Sequence, residues 1–246
     1  NVAVLGAKGR MGAETVKAIS SASDLKLVAQ IDLGDSLDLL TSSGAQVVVD
    51  FTHPDSVMKN LEFAITHGIN VVVGTTGFDE KKLSQIKSWL SDNPKVGAVI
   101  APNFGLGAVL MMQFAAQAAK YFESVEIVEL HHPAKADAPS GTAARTAELI
   151  TAARKSVNKA AMPDATTSEI DGARGAKIGD VQIHSVRLRG LVAHQEVILG
   201  DVGETLSIRH DSIDRTGFMP GVLLAIRKVG ENPGLTFGLE NYMDLN

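Results

Sequence analysis

Val2-Ala3-Val4-Leu5-Gly6-Ala7-Lys8-Gly9-Arg10-Met11-Gly12 opens with four apolar residues, passes through glycines at every third position and continues into a helical pattern. A strand, a glycine-rich turn and a helix start, in that order, make a phosphate cradle. Glycine lets the backbone approach pyrophosphate oxygens, and the helix start offers unpaired N–H groups with a partial positive charge. The spacing is G-x-x-G-x-x-G, a variant of the commoner G-x-G-x-x-G. Gly6, Ala7, Lys8, Gly9, Arg10 and Met11 are therefore candidate contacts for a nicotinamide dinucleotide. The competing reading is a tight turn that needs glycine for its own geometry.

Outward from this turn, the first hundred residues repeat one rhythm. Short β-rich runs at 2–5, 25–31, 47–51, 71–73 and 96–101 alternate with helical patterns, the clearest at 54–67 and 79–90. Pro54 stands at the first turn of the former helix and Gly68 just past its end. Strands that are apolar on both faces and separated by helices require right-handed crossovers and a parallel sheet covered on both sides. The expectation is a Rossmann-like, doubly wound α/β domain with its ligand at the carboxyl ends of the strands.

Asp32 stands at such an end, 20 residues after Gly12, where a carboxylate accepts hydrogen bonds from ribose hydroxyls and favours NADH. Lys8 and Arg10 in the glycine turn offer cations to the additional phosphate of NADPH, so both cofactors are expected. Gly74, Thr75 and Thr76 follow the fourth run, and Ala101, Pro102, Asn103 and Phe104 the fifth. Their backbone groups are placed to meet the nicotinamide ribose and carboxamide.

Beyond residue 103 the rhythm changes. A helix at 106–122, a strand at 125–130, a polar loop and a helix at 141–155 precede a Gly-, Thr- and Asp-rich stretch at 164–180. Alternating strands at 181–189, 193–199 and 205–210 then indicate a second, α+β domain with an open, largely antiparallel mixed sheet. A helix at 218–229 and the tail after it fit either domain on pattern alone. Glycine-containing segments at 103–107 and 211–217 suit hinges.

The densest polar chemistry is Glu129-Leu130-His131-His132-Pro133-Ala134-Lys135-Ala136-Asp137-Ala138-Pro139-Ser140-Gly141-Thr142, between a strand and a helix. Histidines exchange protons near neutral pH, and Lys135 supplies a cation or a proton. Ser140, Gly141 and Thr142 start the helix, so their N–H groups suit an anion such as a carboxylate. Ser140 serves equally as a simple N-cap. Glu129 and Asp137 are left open as tuners of neighbouring pKa values. No metal is expected, since His131 and His132 lack a third ligand at zinc-like spacing.

Composition narrows the classes further. With 246 residues, 45% of them hydrophobic, the chain can bury one large core or two modest ones. A net charge of -5 with no basic stripe argues against nucleic acid. Without cysteine there is no disulfide, thiolate metal site or thiol nucleophile, in keeping with the cytoplasm. The apolar runs are too short for a membrane span, and no signal peptide is evident. The chain opens at Asn1 inside an apolar run, so its first strand is expected to be clipped.

The sequence resembles the dihydrodipicolinate reductase family along essentially its whole length. The resemblance rests on Gly6–Gly12, Gly74–Gly77, Ala101–Phe104 and above all on the run from His131 to Ala143. It implies reduction of a cyclic unsaturated dicarboxylate, 4-hydroxy-tetrahydrodipicolinate, to tetrahydrodipicolinate by NADH or NADPH in diaminopimelate and lysine biosynthesis. His131 and Lys135 would handle protons, while His132, Lys135, Ser140, Gly141 and Thr142 would hold the substrate. It also implies a homotetramer built through the open sheet, with residues 1–104 and 214–246 forming the dinucleotide domain and 105–213 the substrate domain. An Asp at position 32, where some members carry Glu, leaves the cofactor preference open.

Overall fold

The structure, a computed structural model, describes residues 1–75 and 77–245. The chain forms two compact units, one of Asn1–Leu106 with the stretch from Arg215 onward, the other of Gly107–Asp214.

In the first unit β1 (Val2–Leu5), β2 (Leu27–Ile31), β3 (Val47–Asp50), β4 (Asn70–Val73) and β5 (Gly97–Ile100) alternate with α1 (Arg10–Ser21), α2 (Asp38–Ser42), α3 (Val57–Thr66) and α4 (Glu80–Asp92). β1, β4 and β5 are apolar almost throughout, and their inward positions are wholly buried. That pattern suits inner strands of a helix-covered parallel sheet. Val57, Leu61, Ile86 and Leu90 of α3 and α4 pack against Leu5, Val48, Val73 and Ile100 on one face.

α3 starts at Val57, three residues later than the position of Pro54 suggests. The N–H groups of Ser56 and Val57 both bond to the His53 carbonyl, making Pro54 part of a turn that precedes the helix. Gly68 stops the chain there with φ +74°. The five-residue α2 is too short to show a helical period, and sequence reading passed over it.

In the second unit α5 (Leu106–Ala118), which begins one residue before the boundary, leads to β6 (Ser124–His131), α6 (Gly141–Ser156), β7 (Ala176–Ile178), β8 (Val181–Arg187), β9 (Ala193–Asp201) and β10 (Glu204–Ser212). The sheet runs β10-β9-β6-β8-β7, with β6 and β8 parallel and the other pairs antiparallel. Ile127 of β6, Val181 and Ile183 of β8 and Val197 and Leu199 of β9 are buried on the face that α6 covers with Ala143, Ala147 and Ile150. β7 lies inside the stretch at 164–180 read only as Gly-, Thr- and Asp-rich, because three residues carry too little alternation to register.

The chain then returns to the first unit with α7 (Met219–Lys228) and β11 (Gly234–Phe237). α7 packs on α1, and β11 joins β5 in parallel as a sixth strand, giving the order β11-β5-β4-β3-β1-β2. Among the described residues no helix is long and apolar enough to cross a membrane.

Candidate active site

The strand register aligns the carboxyl ends in the first unit. Ile31, Leu5, Asp50, Val73 and Ile100 are partners across β2, β1, β3, β4 and β5. Asp32, Gly6, Phe51, Gly74 and Ala101 consequently leave the sheet in one row, at the point where the order turns back from β1 to β3. Ligands of open α/β sheets bind at such a switch point.

Two cavities open along this row. The larger, of about 480 Å³, is lined by Gly6 and Gly9, by Asp32 to Asp35 and by Lys59 and Asn60. The smaller, of about 290 Å³, is lined by Arg10, Met11, Pro54, Gly74 and Thr75. Phe51 and Thr52 line both and join them. α1 begins between them at Gly9, with no side chain capping it and no acidic residue in its first turn. An uncapped helix start beside two joined clefts fits a diphosphate linking two nucleosides.

The glycines divide their work. Gly6 has φ +73°, and a Cβ on it would lie 2.6 Å from the Phe51 carbonyl oxygen. On Gly12 it would lie 2.0 Å from the Gly6 oxygen, and on Gly74 2.1 Å from the Phe51 ring. These three are required by packing of the unit itself. Gly9 has ordinary extended backbone and a single close neighbour, the Gly6 oxygen at 3.1 Å, so it answers chiefly to the cavity.

Asp32 takes the Lys8 N–H at 2.6 Å and the Leu33 N–H at 2.8 Å, and the Lys8 bond is the main cause holding its carboxyl below the ordinary value. The Lys8 and Arg10 side chains are exposed. Ala7 and Ala101 are buried, Pro102 is exposed, and Asn103 accepts the Gly105 N–H at 2.7 Å. Phe104 is buried edge-on against Phe51, with ring centroids 5.7 Å apart. Ala7, Lys8 and Ala101 to Phe104 thus flank the cavities without lining them. Thr76 lies outside the described residues.

Sequence reading missed Asp50, the buried hub behind this row. One carboxylate oxygen accepts from the Thr52 N–H and hydroxyl at 2.9 and 2.7 Å and from the Thr75 hydroxyl at 3.0 Å. The other accepts from the Asn60 amide at 2.8 Å. Its position as the last, polar residue of an apolar strand was the available signal.

In the second unit, Glu129 and His131 lie two residues apart on β6, hence on one face, and Arg187 on β8 is the register partner of His131. Glu129 is wholly buried and bonds to His131 Nδ1 at 2.5 Å. Arg187 grips both Glu129 oxygens, at 3.0 and 2.8 Å, and also donates to the Asp137 carbonyl at 2.7 Å. Burial pushes the Glu129 carboxyl up, but hydrogen bonds from Arg187, Ser185 and His131 more than reverse this and leave it below the ordinary value. Burial lowers the His131 pKa, with Glu129 opposing and Lys135 and Arg187 reinforcing.

Lys135 bonds to the Asp137 carboxylate at 2.5 Å, and that contact is the main cause holding Asp137 below its ordinary value. Ser140 caps α6 by accepting the Ala143 N–H at 3.2 Å, and its own N–H donates to Glu129 at 3.2 Å. A Cβ on Gly141 would meet open space, leaving the helix start approachable. Thr142 is half-buried, and its carbonyl accepts the Thr146 hydroxyl at 2.7 Å; His132 is exposed. Fold thus brings His131, Lys135, Ser140 and Gly141 around one carboxylate pair and leaves His132 at the rim. Arg187, 56 residues from His131 in sequence, gave no local signal. No group of three or more His, Asp or Glu placed to hold a metal occurs among the described residues.

Residues 1–104 match the family model of the dihydrodipicolinate reductase N-terminus, and residues 107–243 that of its C-terminus. A 4-hydroxy-tetrahydrodipicolinate reductase of Streptomyces griseus subsp. griseus is 60% identical over 245 residues, covering 100% of this chain and 98% of the relative. One of Nocardia farcinica is 59% identical over 244 residues, covering 99% and 98%. A dipicolinate-bound dihydrodipicolinate reductase from Paenisporosarcina sp. TG-14 superposes with a TM-score of 0.88 at 37% identity, over 98% of each chain. Both halves and the whole length agree: the chain belongs to the dihydrodipicolinate reductase family.

Proposed function

We propose that this chain reduces 4-hydroxy-tetrahydrodipicolinate to tetrahydrodipicolinate with NADH or NADPH, in diaminopimelate and lysine biosynthesis. The observation that carries the reading is the constellation of the second unit: a histidine held by a buried carboxylate, a lysine and an open helix start on one loop. A dicarboxylate needs the last two, and saturation of a conjugated bond needs a proton donor. The dicarboxylate named in the Paenisporosarcina structure has the same chemistry.

The reduced nicotinamide supplies, when bound, two electrons and one hydrogen as hydride. The 4-hydroxyl of the substrate leaves as water, His131 delivers the proton that balances the hydride, and Lys135 stabilises the negative charge that builds on the ring. Ser140, Gly141 and Thr142 at the start of α6 receive one carboxylate, and His132 and Lys135 hold the ring. In the first unit Gly9, Arg10 and Met11 would hold the diphosphate, Asp32 the adenosine ribose, and Gly74, Thr75 and Ala101 to Phe104 the nicotinamide half.

Both cofactors are accepted, because Asp32 and Asp35 share the larger cavity with Lys59, so that one wall suits ribose hydroxyls and another a phosphate. The enzyme works as a homotetramer built on the open sheet, in the cytoplasm. Oxidation of NADH and NADPH, followed by absorbance, tests the assignment with freshly generated dihydrodipicolinate against aspartate or oxaloacetate plus ammonia. Turnover with the first alone is expected. Turnover only with the others would overturn it.

A further inference from the structure

Glu129 is the one carboxylate in the second unit that is wholly buried, among the described residues. Its two oxygens meet donors from three separate elements: His131 on its own strand, Arg187 on β8 and the Ser140 N–H at the start of α6. Had Glu129 served only to neutralise Arg187, a pair of apolar residues would fill the space at least as well. Its bonds to His131 and Ser140 are what an apolar pair cannot reproduce.

We propose that Glu129 is the positioning residue of this site: clamped by Arg187, its carboxylate fixes the His131 ring through Nδ1 and the start of α6 through Ser140, setting proton donor against anion receptor. The proposal rests on the functional reading above and extends it to residues that do not touch substrate. An ionised carboxylate only accepts, so the nitrogen facing it, Nδ1, carries hydrogen in both charge states of the ring. Proton exchange with substrate is therefore left to Nε2, and the ring cannot turn over without breaking the Glu129 bond.

The groups facing His131 are few. Glu129 favours its cation, whereas Arg187 on β8 and Lys135 on the loop disfavour it. Asp137 sits one shell further out, bonded to Lys135. β9 places Ala193 opposite His131, and α6 contributes the Ser140 N–H to Glu129. Removing the negative charge or the neighbouring positive one must move the His131 titration in opposite directions.

Histidine-selective NMR on the intact protein, without cofactor or substrate, reads this independently of turnover. Neutral His131 in the wild-type chain is expected as the Nδ1–H tautomer, whereas free histidine favours Nε2–H. An Nε2–H signal for His131 would overturn the proposal even if no variant folds. In Glu129→Gln the titration is expected about one pH unit lower, with kcat/KM at neutral pH reduced about tenfold and the KM for NADH unchanged. In Arg187→Gln the titration moves upward. A purely structural carboxylate would alter thermal stability and leave titration and tautomer as in wild type, and that result refutes the idea. Absent reductase activity with the expected NMR behaviour would instead refute the functional reading alone.

Discussion

Gly6 and Gly9 stand three residues apart and answer to different constraints. A side chain on Gly6 is opposed by its left-handed φ and by the Phe51 carbonyl, so Gly6→Ala is expected to cost about 2 kcal/mol or more in urea unfolding. Gly9→Ala should leave stability within about 1 kcal/mol and weaken NADH binding, read by calorimetry, because Gly9 edges the cavity. An unchanged unfolding curve for the first, or unchanged affinity for the second, would contradict this division. His131→Ala and Lys135→Ala should each lower kcat by about 10²-fold or more with circular dichroism unaltered. Near-normal turnover would remove the role assigned to that residue. These positions were legible because each sits in a contiguous motif. Asp50 and Arg187 were not, because Asp50 bonds to Asn60 of α3 and Thr75 beyond β4, and Arg187 meets Glu129 only through the pairing of β6 with β8.

At the level of elements, the pairing of β6 with β8 carries a charge clamp whose effect on stability has a definite sign. The Glu129 carboxyl is held below its ordinary value in the folded chain. Its contribution is therefore complete above the unfolded glutamate value of about 4.3, and is lost as pH falls through the lower folded value. Thermal midpoints of the wild-type chain should fall more steeply below about pH 4 than those of Glu129→Gln; parallel curves would show that the clamp does not couple to folding. The end of α5 shows a second buried charge. Arg154 of α6, nearly inaccessible to solvent, donates to the carbonyls of Phe122, Glu123 and Ala160 at 2.8, 3.0 and 2.9 Å. These bonds hold the chain in a turn after Ala118, which is why the helix ends before the apolar pattern does. Arg154→Leu leaves three carbonyls unpaired and should cost about 3 kcal/mol in chemical unfolding. Long periodic elements could be read from sequence to within a few residues. α2 and β7, of five and three residues, could not, since fewer than two periods carry no pattern.

For the molecule as a whole, alternation of strands and helices gave away the parallel sheet. What pattern could not decide was the destination of the last thirty residues, which the sheet settles by pairing β11 with β5. The second sheet leaves a different matter to association. α6 covers this sheet over its inner strands, but β10 is exposed along most of its length, and Leu206, on the same side as its register partner Leu199, is open to solvent together with Val202. A monomer seldom leaves a long strand edge with exposed apolar side chains uncovered. If the homotetramer proposed above uses this edge, light scattering at micromolar concentration should report four chain masses, and Leu206→Arg should shift the mass downward while the circular dichroism spectrum stays that of the folded chain. Because the proposed site residues of the second unit lie on β6, β8 and the α6 start, the dissociated variant should retain dipicolinate binding. A wild-type mass of one chain would remove the assembly, whereas loss of dipicolinate binding on dissociation would show that the β10 edge supports the site as well as the assembly.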